Sequence, residues 1–150
     1  MRKKLLLNSF YLISLGALSS LSLPPYNFFW INFLTFSSFF LILFKNLSKE
    51  QNQKIYFFYG WLFGFGYFVS SLYWISISLS FDNNFKFLIP IATILIPSFL
   101  ALFYGLISLF FLLMNSKKIL SSLFLFSLLF GFFEYIRGII FTGFPWNLIV

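Results

Sequence analysis

Cysteine and histidine are both absent from this 150-residue chain, and only three residues are acidic. Without cysteine there is no disulfide framework, no thiolate metal site and no cysteine nucleophile among these residues. Without histidine the usual general base and the commonest metal ligand are missing. Three carboxylates, Glu50, Asp82 and Glu134, argue against paired-carboxylate hydrolysis or a carboxylate metal cage, so neither metal nor cofactor is expected. Charge of either sign is scarce: 9% of residues are charged, against roughly 25% in a soluble domain.

What fills the gap is apolar. The chain is 61% hydrophobic with a mean hydropathy of +0.96, and could not cover its own surface in water. Its apolar runs are long enough to cross a bilayer, since about 20 residues rising 1.5 Å each span a core of about 30 Å. The expected fold class is all-α, a polytopic transmembrane helix bundle. The 27 Phe residues accompany many Ile, Asn and Lys, a general compositional drift that gives a lone Phe no functional weight. A net charge of +7 and 26% aromatics raise the question of nucleic acid. The basic residues, however, lie in separate loops and not along one aromatic-interleaved face, so no nucleic-acid partner is expected.

Five spans are expected, at about residues 5–23, 28–44, 55–80, 87–114 and 119–141. Met1 to Lys4 supply a basic flank to the first. A secretory leader opens in the same way, with Ala17-Leu-Ser19 as a conceivable cleavage site. The length of the apolar run, and the second run directly after Pro24-Pro25-Tyr26-Asn27, favour a retained helix. The paired prolines mark a turn because neither can extend helical hydrogen bonding. Residues 45–54 form the most polar loop. Its Asn46-Leu-Ser48 matches a glycosylation sequon that nothing else supports. Pro90 and Pro97 fall inside the fourth span, where a bent helix is expected because neighbours can satisfy the freed carbonyls.

Lysine and arginine placement sets the orientation. A cytoplasmic N-terminus puts Arg2, Lys3, Lys4, Lys45, Lys49, Lys54, Lys117 and Lys118 inside, leaving Lys86 and Arg137 towards the outside. The turn from Phe141 to Trp146 then faces the extracytoplasmic side. Within the fifth span, Glu134 and Arg137 stand one helical turn apart. Counting from Ile119, they lie roughly 22 Å and 27 Å up the helix. Ionisable residues in hydrocarbon mark functional sites by default. Two readings stay open here: a structural ion pair with Arg137 snorkelling to the interface, or an Arg137 fork presented to a phospholipid phosphate and held by Glu134.

Gly60-Trp-Leu-Phe-Gly64-Phe-Gly66 forms a small-residue stripe whose default meaning is close helix packing. Tyr73-Trp74 near the outer end of the same span fits an interfacial aromatic belt, with a lipid-tail wall as the other reading.

These segments carry a resemblance. Leu21-Ser-Leu-Pro-Pro-Tyr26, the Gly60 to Gly66 stripe, Leu72-Tyr-Trp-Ile75, Glu134-Tyr-Ile-Arg-Gly138 and Thr142-Gly-Phe-Pro-Trp146 occur in the order and spacing of one family. Over about Leu21 to Trp146 the chain resembles the N-terminal membrane part of a bacterial apolipoprotein N-acyltransferase. The resemblance implies a multi-pass protein of the bacterial inner membrane. It implies an acyl chain moved from a phospholipid donor to the free α-amino group of an apolipoprotein's diacylglyceryl-cysteine. In the family that reaction passes through a thioester on a cysteine of a nitrilase-like domain outside the membrane. No such domain and no such cysteine lie within these 150 residues, so no catalytic residue is carried over, and the chain alone is expected to be inactive, a truncated or partial member. Arg137, Glu134, Trp146, Pro145, Tyr73 and Trp74 are the candidate lipid- or substrate-contacting residues, with Gly60, Gly64 and Gly66 as packing positions. The alternatives are a small transporter or channel subunit, or a non-catalytic membrane assembly protein.

Overall fold

The structure, a computed structural model, describes residues 2–47, 52–115 and 118–140. Helices account for nearly all of these, with no strand among the described residues. The six α-helices are α1 (Arg2–Ser19), α2 (Trp30–Asn46), α3 (Gln53–Ser71), α4 (Tyr73–Ser80), α5 (Ile96–Met114) and α6 (Ile119–Ile140). A helical membrane bundle is therefore the fold.

Helix boundaries follow local chemistry. After α1 the chain tightens into a 3-10 turn (Ser20–Ser22), passes the cis Pro24–Pro25 bond and places Asn27 in the left-handed region at φ 55°. Asparagine tolerates that region better than most residues. Asn52 caps α3 by accepting the Lys54 backbone N–H at 3.0 Å. Leu72, at φ −102° and ψ 4°, leaves helical geometry and separates α3 from α4. The fourth stretch changes helix type along its length: a 3-10 turn (Asn83–Leu88), a π turn (Ile91–Leu95) and then α5, with Pro97 near its start. The Ile96 N–H donates back to the Ile91 carbonyl across the π turn, and Pro97, which has no N–H to donate, follows directly.

Three helical stretches are long and apolar enough to cross a membrane: Gln53–Ser80, Asn83–Met114 and Ile119–Ile140. Helices α1 and α2 fall outside that group at 18 and 17 residues, and α1 carries Arg2, Lys3 and Lys4. The expected count of five spans thus exceeds what helix length and apolarity establish.

The bundle is organised around α3, which packs α1 on one side and α5 on another. Glycines permit both contacts. A Cβ on Gly60 would overlap the Tyr104 carbonyl and the Ser108 hydroxyl of α5, and one on Gly64 would press 2.8 Å from the Tyr104 Cβ. Gly66 faces the other way, onto the Ile13 carbonyl of α1, and Gly16 of α1 answers it at the Phe63 carbonyl. The stripe of three glycines is therefore split between two neighbours, which suits a helix packed on two faces. Side-chain hydrogen bonds add register. Trp61 Nε1 donates to the Ser98 carbonyl at 3.0 Å, the Tyr56 hydroxyl to the Leu43 carbonyl at 2.8 Å, and Ser19 to Thr35 at 2.7 Å.

Phenylalanine rings fill the space between α2, α3 and α6. Phe39 stacks on Phe63 with centroids 4.4 Å apart, and Phe36 and Phe40 meet Phe130 and Phe126 edge-on. Edge-to-face and offset arrangements suit the ring quadrupole. These rings do packing work.

Candidate functional site: an enclosed ion pair and an outer groove

Helix α6 buries Ser122, Phe126, Leu129, Phe133 and Arg137. The steps of four, three, four and four residues trace one inward stripe, and Arg137 is its last member. That register turns the guanidinium into the bundle. Arg137 is only 1% exposed, and its Nη2 donates to Glu134 Oε2 at 2.5 Å. Its guanidinium carbon lies 5.0 Å from the centre of the Phe68 ring of α3, within cation–π range. Tyr67 of α3 meets the neighbouring Phe68 ring edge-on, centroids 5.1 Å apart. Tyr104 also meets Phe68 edge-on at 5.5 Å.

The pair is thus enclosed by aromatic residues of two other helices. The i, i+3 partnering anticipated from spacing is present. The outward, snorkelled placement of Arg137 is not, because its position continues the buried stripe of α6. Tyr67, Phe68 and Tyr104 were not singled out in the sequence. They sit among so many aromatics that no pattern sets them apart, and only helix packing brings them to the pair.

Tyr73 and Trp74 lie elsewhere, at the start of α4 beyond the Leu72 break, and are 55% and 49% exposed. Tyr73 borders an open groove of about 620 Å³ whose other walls include Ser14, Leu18, Ser20, Tyr26 and Ser70. The groove joins two motifs far apart in sequence, Leu21 to Tyr26 and Leu72 to Ile75. It carries serine hydroxyls and two tyrosine rings on otherwise apolar walls, a lining that suits an amphipathic molecule with one apolar and one polar end. Pro145 and Trp146, with the rest of the Phe141 to Trp146 turn, lie outside the described residues. Among the described residues no three His, Cys, Asp or Glu side chains cluster to hold a metal.

Comparison with known proteins adds the remaining evidence. Residues 15–149 match the family described as Apolipoprotein N-acyltransferase N-terminal domain. An apolipoprotein N-acyltransferase of Allorhizobium ampelinum is 38% identical over 143 residues, which is 91% of this chain and 27% of that protein. The proteins of the same name from Rhizobium rhizogenes and Rhodopseudomonas palustris are 36% and 39% identical, covering 89% and 88% of this chain but 26% and 25% of their own lengths. No solved structure matches. The chain spans about a quarter of the length of these relatives. It belongs to the apolipoprotein N-acyltransferase family, in which it corresponds to the N-terminal membrane domain.

Proposed function

We propose that this chain is the membrane platform of an apolipoprotein N-acyltransferase. It crosses the bacterial inner membrane in five spans with its N-terminus in the cytoplasm, and by itself transfers no acyl group. The chemistry moves an acyl chain from a phospholipid to the amino group of a lipoprotein's N-terminal diacylglyceryl-cysteine. It needs an activated nucleophile, and a thiol outside these 150 residues supplies it. The platform's work is to seat greasy substrates at the outer interface.

The observation that carries this reading is the family match along residues 15–149, together with the exposed groove at Tyr26 and Tyr73. The lipid-contacting role falls chiefly to Tyr73 and Trp74, whose amphipathic rings suit the headgroup level, and to Pro145 and Trp146. The Glu134–Arg137 pair, being enclosed, serves to fix the outer end of α6 against α3 and α5.

A chimera tests the proposal. This chain replaces the matched first quarter of the Allorhizobium ampelinum relative in cells depleted of their own enzyme. Mass spectrometry of a lipoprotein N-terminal peptide then reads N-acylation. The expected result is the added acyl mass with the chimera and none with the chain alone. A chimera present in the membrane at normal abundance that leaves the lipoprotein unacylated would overturn the reading. So would solute flux through liposomes containing the chain alone, the signature of a transporter subunit.

A further inference from the structure

Helix α3 has the length to cross hydrocarbon by itself, since its 19 residues rise about 28 Å against a core of about 30 Å. Its neighbours stop at the same height. Leu43 of α2 meets Tyr56, and Phe36 meets Phe63, so α2 runs antiparallel to α3 and its first residue, Trp30, falls level with about residue 69. Gly60 and Gly64 meet Tyr104 and Ala101 of α5, which sets Ile96, the first residue of α5, level with about residue 70. Residues 73–95 are therefore added beyond the height of the crossing helices. They stand at the end opposite Lys45, Lys54 and Lys118, which lysine placement assigns to the outside. Helix α4 packs chiefly on the two turns that follow it, and no residue of α4 or of the 3-10 turn is buried. The result is an elbow without a core of its own. Tyr73, Trp74, Ile77 and Phe81 are exposed and lie within about 100° of the helix circumference, with Ser78 and Ser80 at the edges of that stripe. Phe81 and Phe87 are 86% and 71% exposed.

We propose that the elbow of residues 73–95 leans over at Leu72 and lies in the headgroup–acyl boundary of the outer leaflet, with the Tyr73, Trp74, Ile77 and Phe81 stripe and Phe87 inserted. An eight-residue helix with nothing buried has no packing to hold it in water. Standing upright, the 28 residues from Gln53 to Ser80 rise about 42 Å. Phe81 would then stand about 12 Å past the core, beyond a headgroup layer of about 5–7 Å per side. Leu72, at φ −102° and ψ 4°, already departs from helical geometry and supplies the hinge. A helix with an aromatic stripe on one face and hydroxyls beside it is of the kind that lies in the interface plane. The exposed apolar surface also runs on unbroken from the elbow into the crossing helix, through Ile94, Leu95 and Phe99 to Leu102, so the same solvent, lipid, covers both. Asp82 and Lys86 at the tip offset each other, which leaves apolar insertion as the holding force. Because Tyr73 borders the groove that includes Tyr26, the elbow sets the mouth of that groove at headgroup depth. The placement depends on the fold and the orientation, and holds whether or not the chain serves acyl transfer.

The experiment uses the full-length chimera described above, in membranes loaded with a photoactivatable phosphatidylcholine. One preparation carries the diazirine near the top of the acyl chain, another at the chain end, and mass spectrometry maps the labelled residues. The expected result is labelling of Trp74, Ile77, Phe81 and Phe87 by the shallow probe, with about fivefold less from the deep probe, which labels the middle of the crossing helices instead. Phe81→Asp with Phe87→Asp should lower shallow labelling of the elbow about tenfold, because a carboxylate resists leaving water. Unchanged deep labelling of the crossing helices shows that this variant still folds. Deep-probe labelling of the elbow as strong as shallow would overturn the proposal in favour of a tilted span that holds residues 73–95 in the core. Absence of labelling from both probes would overturn it in favour of an elbow covered by protein or standing in water. Shallow labelling that survives both aspartates would also overturn it, since the named rings would not be what inserts. N-acylation by the same chimera is read separately. Labelling as expected without acylation sinks the acyl-transfer reading alone, and the reverse sinks this one alone.

Discussion

Removing Arg137 is the perturbation with the largest expected effect, and the structure says why. The side chain is 1% exposed, paired with a Glu134 that is itself only 13% exposed, and lies against Phe68. Arg137→Met keeps an apolar stem in the stripe of α6 but leaves the Glu134 carboxylate without its counter-charge. Breaking a buried pair by removing one partner costs about 3–5 kcal/mol, whereas replacing both partners with apolar groups is often neutral. The lost cation–π contact adds about 0.5–2 kcal/mol. Unfolding of the chain in mild detergent by added dodecyl sulfate, followed by tryptophan fluorescence, measures the difference. Arg137→Met should lose about 3.5–7 kcal/mol, and Glu134→Leu with Arg137→Met should recover most of the ion-pair part of it. Arg137→Lys should fall between, since it keeps the charge without the planar fork. A loss below about 1 kcal/mol for Arg137→Met, the scale of an exposed pair, with no recovery in the double variant, would refute the reasoning. In the acylating chimera, abundance and turnover should then fall together. Turnover lost at constant abundance would return Arg137 to a role in holding phosphate.

Other substitutions probe the packing in the same unfolding assay. Gly60→Ala should destabilise by about 1–3 kcal/mol because the new methyl meets the Tyr104 carbonyl. Gly131→Ala, into open space, should be neutral or stabilising by about 0.5–1 kcal/mol through helix propensity; a loss as large as that of Gly60→Ala would show that the glycine contacts are misassigned. Trp61→Phe removes the donor to the Ser98 carbonyl and should cost about 0.6 kcal/mol, the average for interhelical hydrogen bonds in lipid, and at most about 1.7 kcal/mol. Tyr56→Phe deletes the buried bond to the Leu43 carbonyl and should cost about 1 kcal/mol. A cost near zero in either case would mean that the bond forms without holding the helices.

How much of this was legible beforehand differs from residue to residue. The membrane bundle follows from apolar run length and scarce charge, because hydrocarbon thickness and backbone hydrogen bonding leave a helical chain few options. The break at Leu72, within the run expected to form one span, carries no proline or glycine signal. Pro90 and Pro97 flank the π turn (Ile91–Leu95) at which the fourth stretch departs from α-helical geometry. Glu134 and Arg137 stood out as a pair one turn apart, since i, i+3 spacing is a local property of any helix. The inward direction of Arg137 was also latent in its register with Phe126, Leu129 and Phe133, but an arginine near a helix end reads first as an interfacial anchor.

Composition, run length and local spacing are one-dimensional quantities, and they were enough to determine a helical membrane protein, its family motifs and the pairing of Glu134 with Arg137. Which helix each glycine meets, which aromatics enclose Arg137, and that Tyr26 and Tyr73 share one groove were decided only in three dimensions. With 27 Phe residues on helices that are apolar on most sides, many helix faces could pair with many others on sequence alone. Close backbone approach at Gly16, Gly60, Gly64 and Gly66 selects one arrangement among them, because a Cβ at any of these positions would crowd the neighbouring helix.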